Sequence, residues 1–281
     1  MIKEEFILKS KHRHRPFLSD LRYLKNEVRK PLVLFIHGFK GFKDFAYFNL
    51  LAEELAKAGM IVVKMNLSHN GTTPEDPLNF VDLEAFGNNN FSIELDDIEV
   101  MIDHVMSSDF PVSDSEFDVD KIYIMGHSRG GGISIIKAQE DRRIKKIVTW
   151  ASVPGFTIFI NPDAIEEWKA SGVHYILNGR TKQNMPLYYQ LAEDYIANEE
   201  RFDVMGCEKS LTIPHLIVHG YNDETVPVAA AHDLYGQAQK GELLVIEGAS
   251  HTFGGAHPHI GDSLPLHAAE ALKKTIDFFN A

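Results

Sequence analysis

The sequence predicts an α/β protein with a mostly parallel central sheet that helices cover on both faces. Short apolar runs of strand length alternate with segments whose apolar residues recur at helical spacing. The run at residues 32–36 is apolar at every position, which is typical of a central strand buried on both faces. Strands that alternate with helices indicate repeated strand–helix–strand units and hence parallel pairing.

The N-terminal part of the chain begins this alternation. Its predicted strands are short apolar or alternating runs at residues 4–9, 32–36 and 60–65. A solvated basic turn is expected at residues 11–15, and residues 21–28 fit either a strand or a short helix. A helix at residues 45–58 ends at Gly59, and Ser92 is expected to cap the helix that follows a long polar connection.

The C-terminal part resumes the alternation after one interruption. Its predicted strands are apolar runs at residues 122–125, 147–151, 215–218 and 243–246, with helices at 228–239 and 264–279. Residues 154–210 break the pattern, because they are helix-compatible, rich in aromatic side chains, and contain a convincing strand at 174–177 alone. We interpret the chain as a single domain, residues 1–281, with residues 154–210 as an inserted cap.

The pentapeptide GHSRG at residues 126–130 lies between a predicted strand and a predicted helix. The pattern G-x-S-x-G in this context is typical of a nucleophile elbow, a sharp turn that strains the serine backbone and exposes its hydroxyl. Glycine is expected on both sides because a Cβ there would collide with the neighbouring strand or helix. A phosphate-binding loop is disfavoured, since no Lys-Ser/Thr pair follows. Ser128 is the candidate nucleophile.

A serine nucleophile needs a base within hydrogen-bond distance and a carboxylate that fixes the tautomer of the base. In open parallel sheets, reacting groups collect at the carboxyl ends of the strands. Asp223 follows the strand at 215–218, and His251 follows the strand at 243–246. The order Ser128, Asp223, His251 is the one expected when the nucleophile lies on such an elbow.

Other residues compete for these roles. Glu224 competes directly with Asp223 for the role of the acid. The alternative role of Asp223 is to cap the helix that follows. Two histidines farther from the strand end compete with His251, namely His257 and His259. His219 is expected to support the loop of the acid, and His127 to be a structural or wall residue.

A tetrahedral intermediate also needs two converging N–H donors. The expected donors are the backbone N–H groups of Phe39, which follows His37-Gly38, and of Arg129, which begins a helix. The Arg129 side chain opposes the helix dipole and therefore calls for a carboxylate partner. Both a structural carboxylate and a substrate carboxylate remain open.

Histidines near the C-terminus raise the question of a metal. Potential ligands are His257, His259 and Asp262, but no H-E-x-x-H pattern and no cysteine set accompany them. We expect neither a metal nor another cofactor, because the serine mechanism needs none.

At these positions the sequence resembles the α/β-hydrolase superfamily, and within it the dienelactone hydrolase-like and feruloyl or cinnamoyl esterase-like serine hydrolases. The motifs that carry the resemblance are HGF at 37–39, GHSRGG at 126–131, GYND at 220–223 with VP at 226–227, and GASH at 248–251. The resemblance extends over residues 31–279. It implies an α/β-hydrolase fold with a cap between the strand after the elbow helix and the strand before the acid.

The sequence departs from these relatives in three respects. Its nucleophile is serine, whereas typical dienelactone hydrolases use cysteine, which argues against their reaction. Its HGF motif replaces the HGGG of many lipases and esterases. The GHSRGG elbow also resembles that of chlorophyllases, but no other feature specific to them is present.

The expected activity is hydrolysis of small to medium carboxylic esters, aromatic acyl esters among them. The aromatic content of residues 154–210 suggests an apolar or aromatic group in the pocket, although such residues equally serve to pack a cap. A peptidase, a thioesterase and an acyltransferase use the same triad, because function depends on the site and not on the fold. A hydrolase-fold protein that binds a ligand without turnover is the alternative from another class.

Composition narrows the partners and the compartment. The net charge of −12, without a basic run, argues against a nucleic-acid partner. No apolar stretch has the length of a signal peptide or a membrane span, so we expect no export and no membrane association. Cys207 is the single cysteine, which fits a reducing cytoplasm. The oligomeric state stays open.

Overall fold

The computed structural model of the protein describes residues 1–160 and 162–281; Asn161, within the predicted cap, lies outside the described residues. The strands are β1 (Ile2–Lys9), β2 (Pro16–Tyr23), β3 (Lys30–Ile36), β4 (Ile61–Met65), β5 (Phe117–His127), β6 (Ile144–Trp150), β7 (Val173–Leu177), β8 (Asn184–Tyr188), β9 (His215–Gly220) and β10 (Gly241–Ile246). The helices are α1 (Phe48–Lys57), α2 (Leu83–Gly87), α3 (Phe91–Val105), α4 (Arg129–Glu140), α5 (Ile165–Ser171), α6 (Gln190–Ala197), α7 (Val204–Ser210), α8 (Ala229–Gln237) and α9 (Leu266–Asn280). Short 3-10 turns occupy Thr157–Phe159 and Pro162–Ala164.

The central sheet has eight strands in the order β1-β2-β4-β3-β5-β6-β9-β10. Strand β2 runs antiparallel to both of its neighbours. In the rest of this sheet, which runs β4-β3-β5-β6-β9-β10, all neighbouring strands are parallel. The predicted mostly parallel sheet is confirmed. Strands β7 and β8 form a separate antiparallel hairpin.

Two hydrophobic cores lie on opposite faces of the sheet, and the alternation along β3 divides its side chains between them. Leu32, Leu34 and Ile36 pack into the core that α3 and α4 cover. Val33 and Phe35 pack into the core that α1 and α9 cover. Because both faces are buried, the strand has to be apolar at every position, as the sequence pattern predicted.

Several local predictions need correction. The segment at residues 21–28, which fitted a strand or a helix, begins with the end of strand β2. Ser92 does not cap α3: the Asn90 side chain accepts the Ile93 N–H at 2.9 Å, and the helix starts at Phe91. The hydroxyl of Ser92 instead donates to Asp194 at 2.6 Å.

The segment between β6 and β9 contains more strand than the sequence indicated. Strand β8 was not predicted, because Pro186 lies in its middle and proline is unusual in a strand. In an isolated two-stranded hairpin every strand is an edge, so proline is tolerated there. No helix in the described part of the chain is long and apolar enough to cross a membrane.

Candidate active site

The turn between β5 and α4 holds Ser128 at a positive φ of 57°, which residues with a side chain rarely adopt. A Cβ at Gly126 would lie 2.2 Å from the carbonyl oxygen of Gly130, and one at Gly130 would lie 2.5 Å from that of His37. No side chain fits at either position, so the chain can turn this sharply only with glycine on both sides of the serine. The turn leaves Ser128 at the carboxyl edge of the sheet.

The carboxyl ends of β5, β9 and β10 bring three predicted residues together. The hydroxyl of Ser128 lies 2.9 Å from His251 Nε2, and His251 Nδ1 lies 2.8 Å from Asp223 Oδ2. Since a carboxylate accepts only, Nδ1 carries the proton and Nε2 is free to accept from the serine hydroxyl. This is the tautomer that a general base needs.

Asp223 is fixed by its own loop. Its Oδ1 accepts the N–H groups of Thr225 and Val226, both at 2.8 Å. Burial by itself would raise the pKa of Asp223, but hydrogen bonds with His219 and His251 outweigh it and hold the pKa well below its usual range. His219 Nε2 also donates to the Val226 carbonyl at 2.8 Å, so it binds the loop of the acid.

His127 supports the backbone of the loop that carries His251. Its Nε2 donates to the His251 carbonyl oxygen at 3.0 Å, and the two imidazole rings lie 5.0 Å apart. Burial lowers the pKa of His127 to about 3, so the ring is neutral at physiological pH.

The backbone at Gly38 lies directly against the candidate nucleophile. A Cβ at Gly38 would be 2.9 Å from the Cβ of Ser128. His37 accepts the Leu67 N–H on Nε2 at 3.2 Å, so its Nδ1 carries the proton and donates to the Gly38 carbonyl at 2.9 Å. In a planar trans peptide the carbonyl and the next N–H point in opposite directions. His37 therefore fixes the direction of the Phe39 N–H.

The Arg129 side chain has a structural partner. Its guanidinium pairs with Glu94, Nη2 to Oε1 at 2.5 Å and Nε to Oε2 at 3.2 Å, and Asn89 donates to the same carboxylate at 2.7 Å. Three aromatic rings surround the guanidinium carbon at 4.8 to 5.1 Å, those of Phe39, Phe91 and Phe159. Of the two partners left open by the sequence, the structure supplies the internal carboxylate.

Solved structures with the same architecture are numerous. Est1E from Butyrivibrio proteoclasticus, solved with ferulic acid bound, is 20% identical, with a TM-score of 0.69 and 98% of both chains covered. A putative hydrolase from Agrobacterium vitis is 18% identical, with a TM-score of 0.70 over 99% of this chain and 97% of that one. Dienelactone hydrolase from Anabaena variabilis is 17% identical, with a TM-score of 0.63 over 99% and 97%.

The chain has the α/β-hydrolase fold. The resemblance inferred from the motifs is thus confirmed at the level of the fold. No protein-family model and no curated protein sequence matches the chain.

Within this α/β-hydrolase fold, the residues that compete for the roles of acid and base lie outside the hydrogen-bonded set of Ser128, His251 and Asp223. Glu224 is exposed. His257 Nδ1 accepts the Ala46 N–H at 3.0 Å, and His259 Nε2 donates to the Ser263 carbonyl at 3.0 Å. Among the residues that the structure describes, no cluster of three or more histidine, cysteine or acidic side chains is arranged to hold a metal.

A second hydroxyl–histidine–carboxylate array lies elsewhere in the α/β-hydrolase fold, and no sequence pattern indicated it. Thr149 Oγ1 lies 2.8 Å from His215 Nε2, and His215 Nδ1 lies 2.9 Å from Glu208 Oε2. All three side chains are fully buried. No substrate reaches Thr149, so the array is structural, and solvent access distinguishes Ser128 from it.

An apolar cavity of about 140 Å³ adjoins Phe39. Its lining comes mostly from the segment between β6 and β9, with Ile158, Phe159, Ala164, Trp168, His174, Ile176 and Leu187. A wider groove of about 500 Å³ lies between α1 and α9, and Ser128, Asp223 and His251 do not line it. The apolar cavity adjoins the candidate site through Phe39, and Ser128, Asp223 and His251 do not line it.

Proposed function

We propose that this chain is a serine hydrolase that cleaves carboxylic esters. The observation that carries the proposal is the position of His251, within 2.9 Å of the Ser128 hydroxyl and 2.8 Å of the Asp223 carboxylate. These distances lie in the range in which a base activates a nucleophile and is itself oriented by an acid. The related fold of several esterases and hydrolases agrees with the proposal.

In the proposed reaction, Ser128 Oγ attacks the ester carbonyl carbon while His251 Nε2 takes the hydroxyl proton. Asp223 stays ionised and stabilises the resulting imidazolium. The tetrahedral intermediate expels the alcohol, which receives the proton from His251, and leaves an acyl group on Ser128. Water then attacks the acyl-enzyme with His251 as the base, releasing the acid and restoring the serine.

The N–H groups of Phe39 and Arg129 are the proposed oxyanion donors. Neither donates to a protein acceptor among the described residues, so both are free to bind an oxyanion. Arg129 begins α4, whose N-terminal dipole favours negative charge. The contact between Gly38 and Ser128 supports placing the Phe39 N–H beside the reacting carbonyl.

Residues 154–210 are the proposed cap of a single domain, residues 1–281. The cap supplies most of the lining of the cavity at Phe39. A cavity of roughly 150 Å³ holds a benzene-sized group. We therefore propose an acyl or alcohol group of small to medium size, aromatic groups among them, as the part of the ester that binds here.

The test is hydrolysis of p-nitrophenyl acetate, butyrate and octanoate beside methyl ferulate, for wild type and Ser128→Ala. Turnover by wild type and not by Ser128→Ala supports the proposal. The matched control is Ser115→Ala, at an exposed serine. A thioester and an amide with the same acyl group separate the esterase from a thioesterase and a peptidase. Failure of a fluorophosphonate to label Ser128 would favour a ligand-binding protein without turnover.

A further inference from the structure

The turn that carries the proposed oxyanion donor Phe39 spans residues 38–41, shortly after β3. The Gly41 N–H donates to the Gly38 carbonyl at 3.1 Å and closes the turn. Within the turn, Lys40 has a φ of 56°, a backbone conformation that favours glycine. Such a conformation persists only where surrounding contacts hold it. The residues that hold this turn therefore help to decide where the Phe39 N–H points.

Asn70, in the connection that follows β4, is hydrogen-bonded to both ends of this turn. Its Nδ2 lies 3.2 Å from the Gly41 carbonyl oxygen and 3.4 Å from His37 Nε2. His37 in turn donates from Nδ1 to the Gly38 carbonyl at 2.9 Å. Burial lowers the pKa of His37 to about 4, so its ring is neutral at physiological pH, accepting on one nitrogen and donating from the other. One amide thus holds Gly41 directly and Gly38 by way of His37.

The orientation of the Asn70 amide is fixed by its other neighbours. Its Oδ1 accepts the Thr72 N–H at 3.0 Å and the Thr72 hydroxyl at 2.8 Å. A backbone N–H only donates and a carbonyl oxygen only accepts, so Oδ1 has to face Thr72 and Nδ2 has to face Gly41. Both N–H groups and both lone pairs of the amide are therefore in use. Asn70 is 5% exposed, so water has little access to these bonds.

Asn66, the residue that follows β4, holds the continuation of the same loop. Its Oδ1 accepts the Lys43 N–H at 2.7 Å, and its Nδ2 donates to the Thr72 hydroxyl at 3.1 Å. Thr72 thus joins Asn66 and Asn70 into one network, and all three side chains are buried. A buried polar network whose members are satisfied makes the segments that it joins rigid. The loop after β3 is therefore held at several points by the segment after β4.

We propose that Asn70 is a positioning residue for the oxyanion site, whose amide keeps the Phe39 N–H directed at the carbonyl oxygen of the substrate. The inference rests on the proposed ester hydrolysis and assigns a role in it to a residue that is not one of the reacting groups. An oxyanion donor acts over a narrow range of distances. A displacement of about 1 Å at a reacting group costs about a hundredfold in rate. A turn that is free to move would therefore lose most of the stabilisation that the Phe39 N–H supplies.

The experiment compares wild type with Asn70→Leu, whose side chain has nearly the same shape but forms no hydrogen bond. The substrate is p-nitrophenyl butyrate, and kcat and KM are measured separately over a range of pH. Asn79→Leu is the matched control, since Asn79 lies in the same connection and is exposed. Thr72→Val, which removes the hydroxyl between Asn70 and Asn66, is the second variant. Urea denaturation shows whether each variant is folded.

The expected result for Asn70→Leu is a fall in kcat of about 10- to 100-fold with little change in KM, because an oxyanion donor acts in the transition state. Thr72→Val should lower kcat by a smaller factor, and Asn79→Leu should keep both constants. The acid limb of the pH profile, which reports on His251, should not move. Wild-type kcat in folded Asn70→Leu, a loss confined to KM or a shifted acid limb would overturn the inference. If Asn70→Leu does not fold, Thr72→Val decides by the same criteria.

Calorimetric titration with trifluoromethyl propyl ketone separates failure of this inference from failure of the proposed hydrolysis. Ser128 Oγ adds to its electron-poor carbonyl carbon while His251 takes the proton, which leaves a tetrahedral oxyanion; methyl propyl ketone, a poor electrophile, is the reference. Weaker binding of the fluorinated ketone by Asn70→Leu, with no ester hydrolysis by wild type, would refute the esterase and keep the positioning role. Ester hydrolysis with equal binding by wild type and Asn70→Leu would do the reverse. A wild type that neither hydrolyses an ester nor binds the fluorinated ketone would overturn both.

Discussion

The guanidinium of Arg129 and the carboxylate of Glu94 form a two-bond ion pair in the protein interior, with side chains 2% and 5% exposed. Arg129 is the first residue of α4, and Glu94 lies in the first turn of α3. The pair therefore connects the turn that carries Ser128 to a second helix. A cation at a helix N-terminus is unfavourable by itself, and Glu94 compensates for it.

Replacing Glu94 by glutamine should destabilise the protein, because it leaves the buried guanidinium without a counterion. We expect the free energy of unfolding to fall by about 3–5 kcal/mol, measured by urea denaturation. Glu99→Gln is the control, since Glu99 pairs with Lys11 at the surface and such pairs contribute about 0–1 kcal/mol. Equal losses in the two variants would contradict the role assigned to the buried pair.

Gly38→Ala should lower kcat by about a hundredfold, because the new Cβ would lie 2.9 Å from the Ser128 Cβ and displace the reacting groups. Steady-state ester hydrolysis gives the value. Gly155→Ala is the control, since a Cβ there has no atom within 4 Å among the described residues. Unchanged kcat in Gly38→Ala would mean that the loop at Gly38 is not part of the reacting site.

Asp223→Asn should lower kcat by about 10⁴-fold, because an amide in place of the carboxylate favours the wrong tautomer of His251. Glu224→Gln, at the exposed neighbouring acid, should keep wild-type kcat. The comparison decides between the two acids that the sequence left in competition. A large loss in Glu224→Gln alone would assign the role to Glu224 and refute the hydrogen-bonded arrangement.

The stability of the protein should fall as the pH falls below about 6.5, in part because of His127. Burial lowers the pKa of His127 to about 3 in the folded protein, so between these values the unfolded chain binds a proton that the folded chain does not. Each such histidine contributes a slope of up to about 1.4 kcal/mol per pH unit.

The variant His127→Gln should have a smaller slope of unfolding free energy against pH than wild type over this window. Urea denaturation at a series of pH values measures it, and His232→Gln, at an exposed position, is the substitution control. A wild-type slope in His127→Gln would show that the ring is not kept neutral by burial.

The mostly parallel sheet could be predicted from the sequence, because apolar runs of strand length alternate with segments of helical periodicity. The apolar run at residues 32–36 was interpreted as a central strand buried on both faces, and Leu34 and Phe35 indeed pack into opposite cores. Ser128 was predicted from the GHSRG pattern, and Asp223 and His251 from their places after strands. The order of the strands in the sheet brings those places together.

The parts that the sequence did not predict depend on contacts between distant segments. Asn90 and Ser92 are both good capping residues, and the contact of Ser92 with Asp194 decides between them. The partner of Arg129 was likewise undetermined, since Glu94 lies 35 positions away in the chain. The hairpin of β7 and β8 was partly missed because proline in a strand is a poor local indicator.

In the proposed mechanism, Ser128 carries the acyl group of the ester during turnover. Rapid mixing with p-nitrophenyl acetate, followed by acid quench and peptide mass spectrometry, tests it most directly. We expect a burst of p-nitrophenol and an acetyl group on the peptide that contains Ser128, both absent in Ser128→Ala. Steady hydrolysis with an unmodified Ser128, or an equal burst in Ser128→Ala, would contradict it.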